Sequence, residues 1–474
     1  MISESQQRLR YVLGDFVSSN IAWFAYNCLR YTLGVIEGQY ESLSQFIIAP
    51  MVVVGQLVFP VMMMAVYCLS GYYNVVFRKS RLQEVAVTFW SALVNALLIF
   101  FVALINDVMK DRGSDYEMLL LLWALLFFVV YVVRALITAH TSRKIRSREW
   151  GFNTLIVGRG TAAVAFVDKM NNQRDSLGYR VKGFVSIPGE SDAKGVSLPC
   201  YTLDEVAQAC RDEKIEEIIV VPTRHEESQV LTAINRLFAL DLPIKMIPDR
   251  SSSNVLLSQV RISDMYGDPL VNISGSNMSE SGKNVKRCID VVVSVILLVL
   301  LLPFFAVMAL LIKLDSPGTV FYRQERMGYH NVPFNIIKFR SMRADAEHDS
   351  QPQLSSENDP RITRVGHFMR KYRIDELPQF WNVLVGEMSI VGPRPERKYY
   401  VNQILERVPA YALLHQVRPG ITSMGMVKFG YARNVDEMVE RLSYDLLYLE
   451  NMSLINDLKI MVYTVKTVLT GRGM

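Results

Sequence analysis

The run VKRCIDVVVSVILLVLLLPFFAVMALLIKL occupies residues 285–314, and how it meets a membrane decides where everything after it lies. Its apolar part, 289–312, is long enough to cross a bilayer, which takes about 20 residues. Pro303 sits near its middle, where it removes a backbone donor and breaks or kinks a helix. Lys283, Lys286 and Arg287 flank one end, and Lys313, Arg323 and Arg326 flank the other. Cations favour the cytoplasmic side, so both ends ask for the same side. A re-entrant helix–break–helix over 286–314, broken at Pro303, satisfies both constraints. A straight span is the competing reading.

Beyond this run, residues 370–395 read RKYRIDELPQFWNVLVGEMSIVGPRP. Asp375 and Glu376 follow a cluster of cations, Arg364, Arg370, Lys371 and Arg373, and the Leu-Pro pair after them marks a helix boundary. Gly392-Pro393-Arg394-Pro395 forms a stiff turn that fixes the direction of one more arginine. A carboxylate can attack phosphorus and carry a phosphoryl group, while a metal ion and guanidinium groups offset the phosphate charge. An Asp-Glu pair divides that labour into nucleophile and Mg²⁺ ligand. Taken alone, such a pair is more often solvated helix surface.

The pair does not stand alone. Lys338-Phe339-Arg340-Ser341-Met342, Asp359-Pro360-Arg361-Ile362-Thr363, Asp375-Glu376-Leu377-Pro378-Gln379, Val391-Gly392-Pro393-Arg394-Pro395 and Arg418-Pro419-Gly420-Ile421-Thr422 follow in order over roughly two hundred residues. This series resembles the bacterial sugar transferase family, monotopic polyprenyl-phosphate sugar-1-phosphate transferases that start exopolysaccharide, capsule and O-antigen synthesis. The resemblance implies a mostly α-helical monotopic catalytic domain with a re-entrant membrane hairpin. It implies a UDP-sugar donor, undecaprenyl phosphate as acceptor, and Mg²⁺ as cofactor. Asp375 would be the nucleophile and Glu376 the Mg²⁺ holder. Lys338, Arg340, Arg370 and Arg394 would meet the phosphates, with Arg433 as the family's loop arginine and Asp445 near the metal or substrate. Two departures stand out. Leu302 replaces the usual Ser before the hairpin proline, and Ser423-Met424-Gly425-Met426-Val427 with the longer loop through Arg433 replaces the usual Gly-Leu-Trp-Gln-Val and short Gly-Arg loop.

The first part of the chain is membrane-like. Half of the 474 residues are hydrophobic, in blocks, and the net charge is +5. Four apolar segments lie at 11–36, 46–69, 85–105 and 118–137, the first interrupted by Asp15 and Arg30. Asp15 is expected near an interface or paired with a neighbouring helix. Arg8 and Arg10, then Arg78, Lys79 and Arg81, then Arg143, Lys144, Arg146 and Arg148 mark the cytoplasmic loops, so the block begins and ends inside. The basic residues adjoin apolar blocks, which suits membrane lipid and anionic phosphates rather than nucleic acid. Five scattered cysteines show no zinc spacing. No cleavable signal peptide is expected from the polar start.

From Asn153 the pattern changes to alternating strands and helices. Thr154-Leu155-Ile156-Val157 reads as a buried strand, and Gly158-x-Gly160-x-x-Ala163 opens a helix, the dinucleotide-binding fingerprint. Ser186 stands near where an acidic residue would hold a ribose, and no Tyr-x-x-x-Lys pair follows in this segment. The expected plan is a four-helix transmembrane domain at 1–142, a Rossmann-like cytoplasmic α/β domain at 150–250, a linker at 251–282 and the catalytic domain at 283–474. The expected setting is the bacterial inner membrane, multi-pass, with the later domains on its cytoplasmic face; homodimerisation stays open. Two alternatives compete with sugar-phosphate transfer: an NAD-dependent nucleotide-sugar dehydratase or epimerase using residues 153–248, and an inactive membrane scaffold for polysaccharide assembly.

Overall fold

The computed structural model describes residues 3–33, 40–104, 112–173, 175–187, 198–221, 227–247, 262–264, 270–273, 278–343 and 359–470. They fall into two compact units, one of Met1–Gly151, Asp175–Gly178 and Ser279–Val285, the other of Phe152–Arg174, Tyr179–Met278 and Lys286–Met474. The expected ends of the first and third apolar segments, Ile36 and Ile105, lie outside the described residues, as does most of the stretch read as a linker.

The first unit is helical. Helix Glu4–Thr32 starts in a capping box: the Ser3 hydroxyl accepts from Gln6 N while the Gln6 side chain accepts from Ser3 N. Helices Pro50–Leu69, Arg81–Ile99 and Arg112–Arg146 follow. Among the described residues, three stretches are long and apolar enough to cross a membrane: Pro50–Leu69, Arg81–Val102 and Tyr116–Arg146. Helix Glu4–Thr32 is not among them, because its inner face is polar and buries Gln7, Asp15, Ser18, Ser19 and Asn27. Asp15 accepts both Nε and Nη2 of Arg134, at 2.8 and 2.6 Å, and the Tyr73 hydroxyl at 2.7 Å. Arg134 also donates to Thr88 Oγ1. A charge left alone among apolar helices costs about 3 kcal/mol, so this pairing fixes which faces of three helices meet.

The second unit begins with the expected α/β alternation. Strands β1 (Phe152–Val157), β2 (Tyr179–Val185), β3 (Cys200–Tyr201), β4 (Glu217–Val220) and β5 (Ile244–Met246) pair in parallel in the order β3-β2-β1-β4-β5. Two strands come from the stretch read as a linker: β6 (Ile262–Asp264) and β7 (Leu270–Asn272) extend the sheet antiparallel, with β7 against β5. Gly158 has φ +118°, and a Cβ there would lie 2.5 Å from Val221 O, so only glycine lets the turn pass between strand and helix.

The rest of this unit is a mostly helical assembly. Helix Glu280–Leu300 and helix Leu302–Asp315 meet at a 61° bend, with Pro303 in the first turn of the second, where it lacks no needed donor. Lys286, Arg287 and Asp290 tie the first of these helices down: Lys286 to Asp457 and Val391 O, Arg287 to the carbonyls of Val383 and Leu384, Asp290 to Ser389 Oγ and Ile390 N. Strands β8 (Phe321–Met327) and β9 (Pro333–Phe339) form an antiparallel hairpin, and β10 (Ser389–Val391) and β11 (Gly420–Thr422) a short parallel pair. Sheet and helical assembly share one core, in which Val230, Ile234 and Phe238 of helix Glu227–Phe238 pack with Tyr411 and Leu414. The two expected domains therefore pack as one body.

The β10–β11 pair brings two glycines into backbone contact. A Cβ on Gly392 would lie 2.3 Å from Arg418 O, and one on Gly420 2.1 Å from Gly392 N. Gly392→Ala is expected to cost about 3 kcal/mol by this overpacking, read as a lowered thermal midpoint of the purified protein, whereas Gly430→Ser, where nothing lies within 4 Å, meets only its positive φ and costs less.

Candidate active site

The acidic pair is placed by a backbone turn rather than by a continuing helix. The basic helix before it, Arg364–Lys371, cannot run on into the pair, because Arg373 adopts φ +55°. A left-handed conformation at a non-glycine residue costs about 1–2 kcal/mol and concentrates at functional sites. It starts the 3₁₀ helix Ile374–Gln379, whose first turn carries Asp375 and Glu376, 8% and 4% exposed.

Three cations converge on Glu376. Lys338 of β9 donates to Oε1 at 3.0 Å, Arg394 of the Gly-Pro-Arg-Pro turn lies 3.4 Å from the same oxygen, and Arg373 lies 3.5 Å from Oε2. Burial opposes ionisation of Glu376, but Lys338, Arg394 and Arg373 outweigh it and hold the carboxyl well below the usual range. Asp375 goes the other way: burial, then the neighbouring Glu376 charge, pushes its carboxyl up. Burial also lowers Lys338, partly offset by Glu376. Arg370 adds positive charge near Asp375 and donates from Nε to Ser341 Oγ at 3.1 Å. Asp375, Glu376, Lys338, Arg370 and Arg394 thus form one cluster.

Three other expectations change. Arg340, 5% exposed, donates to Ser316 O at 2.6 Å, Pro317 O at 2.8 Å and Ile312 O at 3.3 Å. It closes the C-terminal end of helix Leu302–Asp315, where free carbonyls and the helix dipole favour a cation, so its guanidinium is engaged with backbone carbonyls of the fold. Asp445 is buried on helix Val435–Glu450 and accepts from Gly425 N at 2.9 Å, pinning the short helix Met424–Lys428; burial raises its carboxyl. Arg433 is exposed, and its backbone N donates to Glu437. The loop contributes Tyr431 instead, with its ring centroid 4.8 Å from the Arg373 guanidinium and 5.0 Å from that of Arg394. Arg373 carried a local signal, three residues before Glu376; Tyr431 carried none.

The turn bearing Arg394 is itself braced. Gly392 N donates to Thr422 O and Gly420 N to Pro393 O, while Glu396 sits between Arg441 at 2.6 Å and Arg326 at 3.2 Å. In the sheet, Gly158, Gly160 and Ala163 stand where the fingerprint puts them, with Gly160 preceding helix Thr161–Asn172 and Ala163 fully buried. Among the described residues no group of three or more His, Cys, Asp or Glu side chains forms a metal cage. Mg²⁺ needs none, since one or two carboxylates with substrate phosphates suffice, and the Asp375–Glu376 pair fits that set.

Linkage gives the pair opposite effects on stability. Glu376, depressed below its unfolded value, contributes stability that is present above about pH 4.3 and lost as pH falls. Asp375, raised when folded, favours the fold only while protonated, and that contribution is lost as pH rises through its folded pKa. Thermal unfolding at neutral pH should therefore show Asp375→Asn more stable than wild type. Glu376→Gln, which leaves buried cations unpaired, should lose about 3 kcal/mol.

Comparison with known proteins bears on this cluster. Residues 281–471 match the family described as bacterial sugar transferase, and residues 69–248 match one described as a CoA-binding domain. The UDP-glucose:undecaprenyl-phosphate glucose-1-phosphate transferase of Escherichia coli K12 is 31% identical over 409 residues, covering 85% of this chain and 86% of that protein. A Klebsiella pneumoniae protein of the same name is 33% identical, covering 67% and 68%. A UDP-N-acetylgalactosamine-undecaprenyl-phosphate N-acetylgalactosaminephosphotransferase of Aeromonas hydrophila is 41% identical over 221 residues, covering 47% and 51%.

Proposed function

The chain belongs to the bacterial sugar transferase family, and from that premise we propose that it transfers a sugar-1-phosphate from a UDP-sugar to undecaprenyl phosphate, releasing UMP. The observation that carries this reading is the buried Asp375–Glu376 pair, in which the direct ion pairs go to Glu376 and leave the Asp375 carboxylate to react.

In the first step an Asp375 oxygen bonds to the β-phosphorus, and the bond from that phosphorus to the bridging oxygen breaks with its electron pair going to UMP. In the second, an oxygen of the lipid phosphate bonds to the same phosphorus, and the Asp375 carboxylate leaves. Lys338, Arg370, Arg373 and Arg394 face the negative charge of the diphosphate, and being fixed beforehand they need no reorganisation as charge shifts. Glu376, kept ionised, would hold Mg²⁺ together with substrate phosphate, and the ion would supply Lewis-acid stabilisation there.

The bend before Pro303, with cations at both ends of the helix pair, supports a re-entrant hairpin that keeps this site on the cytoplasmic face of the inner membrane. Helix Glu4–Thr32, whose Asp15 is neutralised by Arg134, would be a fourth span beside the three apolar ones. The strand order of the parallel sheet supports a Rossmann-like reading of the central domain. Relatives named for glucose and for N-acetylgalactosamine leave the sugar to experiment.

The test is UMP release by purified protein in nanodiscs with Mg²⁺, undecaprenyl phosphate and a panel of UDP-sugars. One or two donors should react, and Asp375→Asn should lose about 10⁴-fold or more. Silence of folded wild-type protein across the panel would sink the reading. Because Asp375 attacks as the anion and its carboxyl is raised, the rate should climb with pH through a value above the ordinary carboxylate range. A double-displacement mechanism predicts a burst of UMP before lipid is added; a strict need for both substrates would rule out the covalent step.

A further inference from the structure

Two of the three cations at Glu376 are held loosely by it. Arg394 and Arg373 stand 3.4 and 3.5 Å from its oxygens, longer than the ~2.7–2.9 Å of a strong charge-assisted hydrogen bond. Two guanidinium groups beside one carboxylate also repel each other. Something besides Glu376 must set their positions.

We propose that Tyr431 is the positioning residue for this pair: its ring holds the Arg373 and Arg394 guanidinium groups beside Glu376, so that they meet the diphosphate of a nucleotide sugar as one cationic surface. Both guanidinium carbons lie within the ~6 Å range of a cation–π contact, at 4.8 and 5.0 Å from the ring centroid. The negative face of the ring attracts each cation, and it adds no charge that would compete with the phosphates.

The chain is built to deliver this ring. Helix Met424–Lys428 starts at the Ser423 cap and is fixed by Asp445. It ends where Phe429 N and Gly430 N both donate to Gly425 O, at 2.9 and 3.2 Å. Gly430, at φ +96° with open space around it, turns the chain directly before Tyr431. On the far side, Arg433 N donates to Glu437, and Asn434 caps helix Val435–Glu450. The loop is tied at both ends, and Tyr431 lies between the ties. At 38% exposure it is not a core aromatic.

This inference deepens the proposed transfer reaction and rests on it, so its test has an arm without turnover. In nanodisc-held protein, Tyr431→Phe keeps the ring and should release UMP within about twofold of wild type. Tyr431→Leu should lose about tenfold in kcat, with an unchanged KM for undecaprenyl phosphate and an unchanged thermal midpoint. In the second arm, UDP binding is measured by calorimetry in an Asp375→Asn background. There Tyr431→Leu should weaken UDP about tenfold and Tyr431→Phe should not. A Leu variant matching wild type in rate and UDP affinity would overturn the proposal, as would a Phe variant as damaged as Leu. Wild-type protein that binds UDP through this ring yet releases no UMP from any donor would overturn the transfer reaction and leave the positioning role standing.

Discussion

A carboxylate taken out of water stays ionised only where cations stand around it, and Glu376 organises the second unit through that requirement. Its neutralisation draws Lys338 from β9, Arg373 from the end of a basic helix and Arg394 from a proline-braced turn. Lys338 and Arg394 reach it from 38 and 18 residues away in the chain, while Arg373 is only three residues off. Removing two charges from water costs several kcal/mol per ion, recovered only in good geometry. The scaffold around Glu376 therefore has to be stiff, and the charge in turn marks where stiffness is needed.

That stiffness comes from buried polar contacts set one layer back. Asn382 accepts from Ile337 N and donates to Asn335 O, tying helix Phe380–Val385 to the strand that carries Lys338. Glu396, between Arg326 and Arg441, fixes the turn after Arg394 to β8 and to helix Val435–Glu450. The β8–β9 connection is in turn held from helix Glu227–Phe238 and the turn after it, where Asp241 meets His330 Nδ1 at 2.5 Å and Phe238 stacks on the same ring. His415, two residues before the segment that leads into β11, faces Asn235 of helix Glu227–Phe238. Helix Glu227–Phe238 of the α/β domain thus supports both ends of the machinery that positions Lys338 and Arg394, which the notion of separate domains on a linker does not convey.

The sequence made the chemistry legible and the supports illegible, for physical reasons. Asp375 and Glu376 are adjacent, so their pairing needs no fold to be seen, and Pro378 and the Gly-Pro-Arg-Pro turn announce their local geometry through restricted backbone angles. Alternating apolar runs gave the parallel strands because a buried strand has a short, uniform signature. Arg340 misled because Lys338 and Arg340 share a strand face by spacing, while the long guanidinium of Arg340 finds the unfilled carbonyls of a helix end that only the fold brings near. Strands β6 and β7 were missed because each is only three residues long in a Ser- and Asn-rich stretch, where the pairing of β7 with β5 and of β6 with β7, not local propensity, decides. Tyr431 was invisible for a related reason: a cation–π contact with two arginines from other segments leaves no periodicity behind.

Two carboxylates on neighbouring residues are both buried, yet they differ in charge tendency, and the proposed reaction draws on that difference. If the cations were shared evenly, both groups would be held by salt bridges and neither would be free to form a bond. The geometry instead gives the direct ion pairs to Glu376. Asp375 then bears desolvation and the repulsion of its neighbour with only partial compensation from Lys338, Arg370 and Arg373, which leaves its carboxyl raised. In the proposed transfer, a carboxylate of higher basicity, stripped of water and lacking a tight partner, would be a stronger nucleophile than a solvated aspartate. The fold carries that cost in stability at neutral pH, and the left-handed backbone at Arg373 adds to it. Strain and desolvation collect at the same two turns because a reactive carboxylate requires both to be held in place.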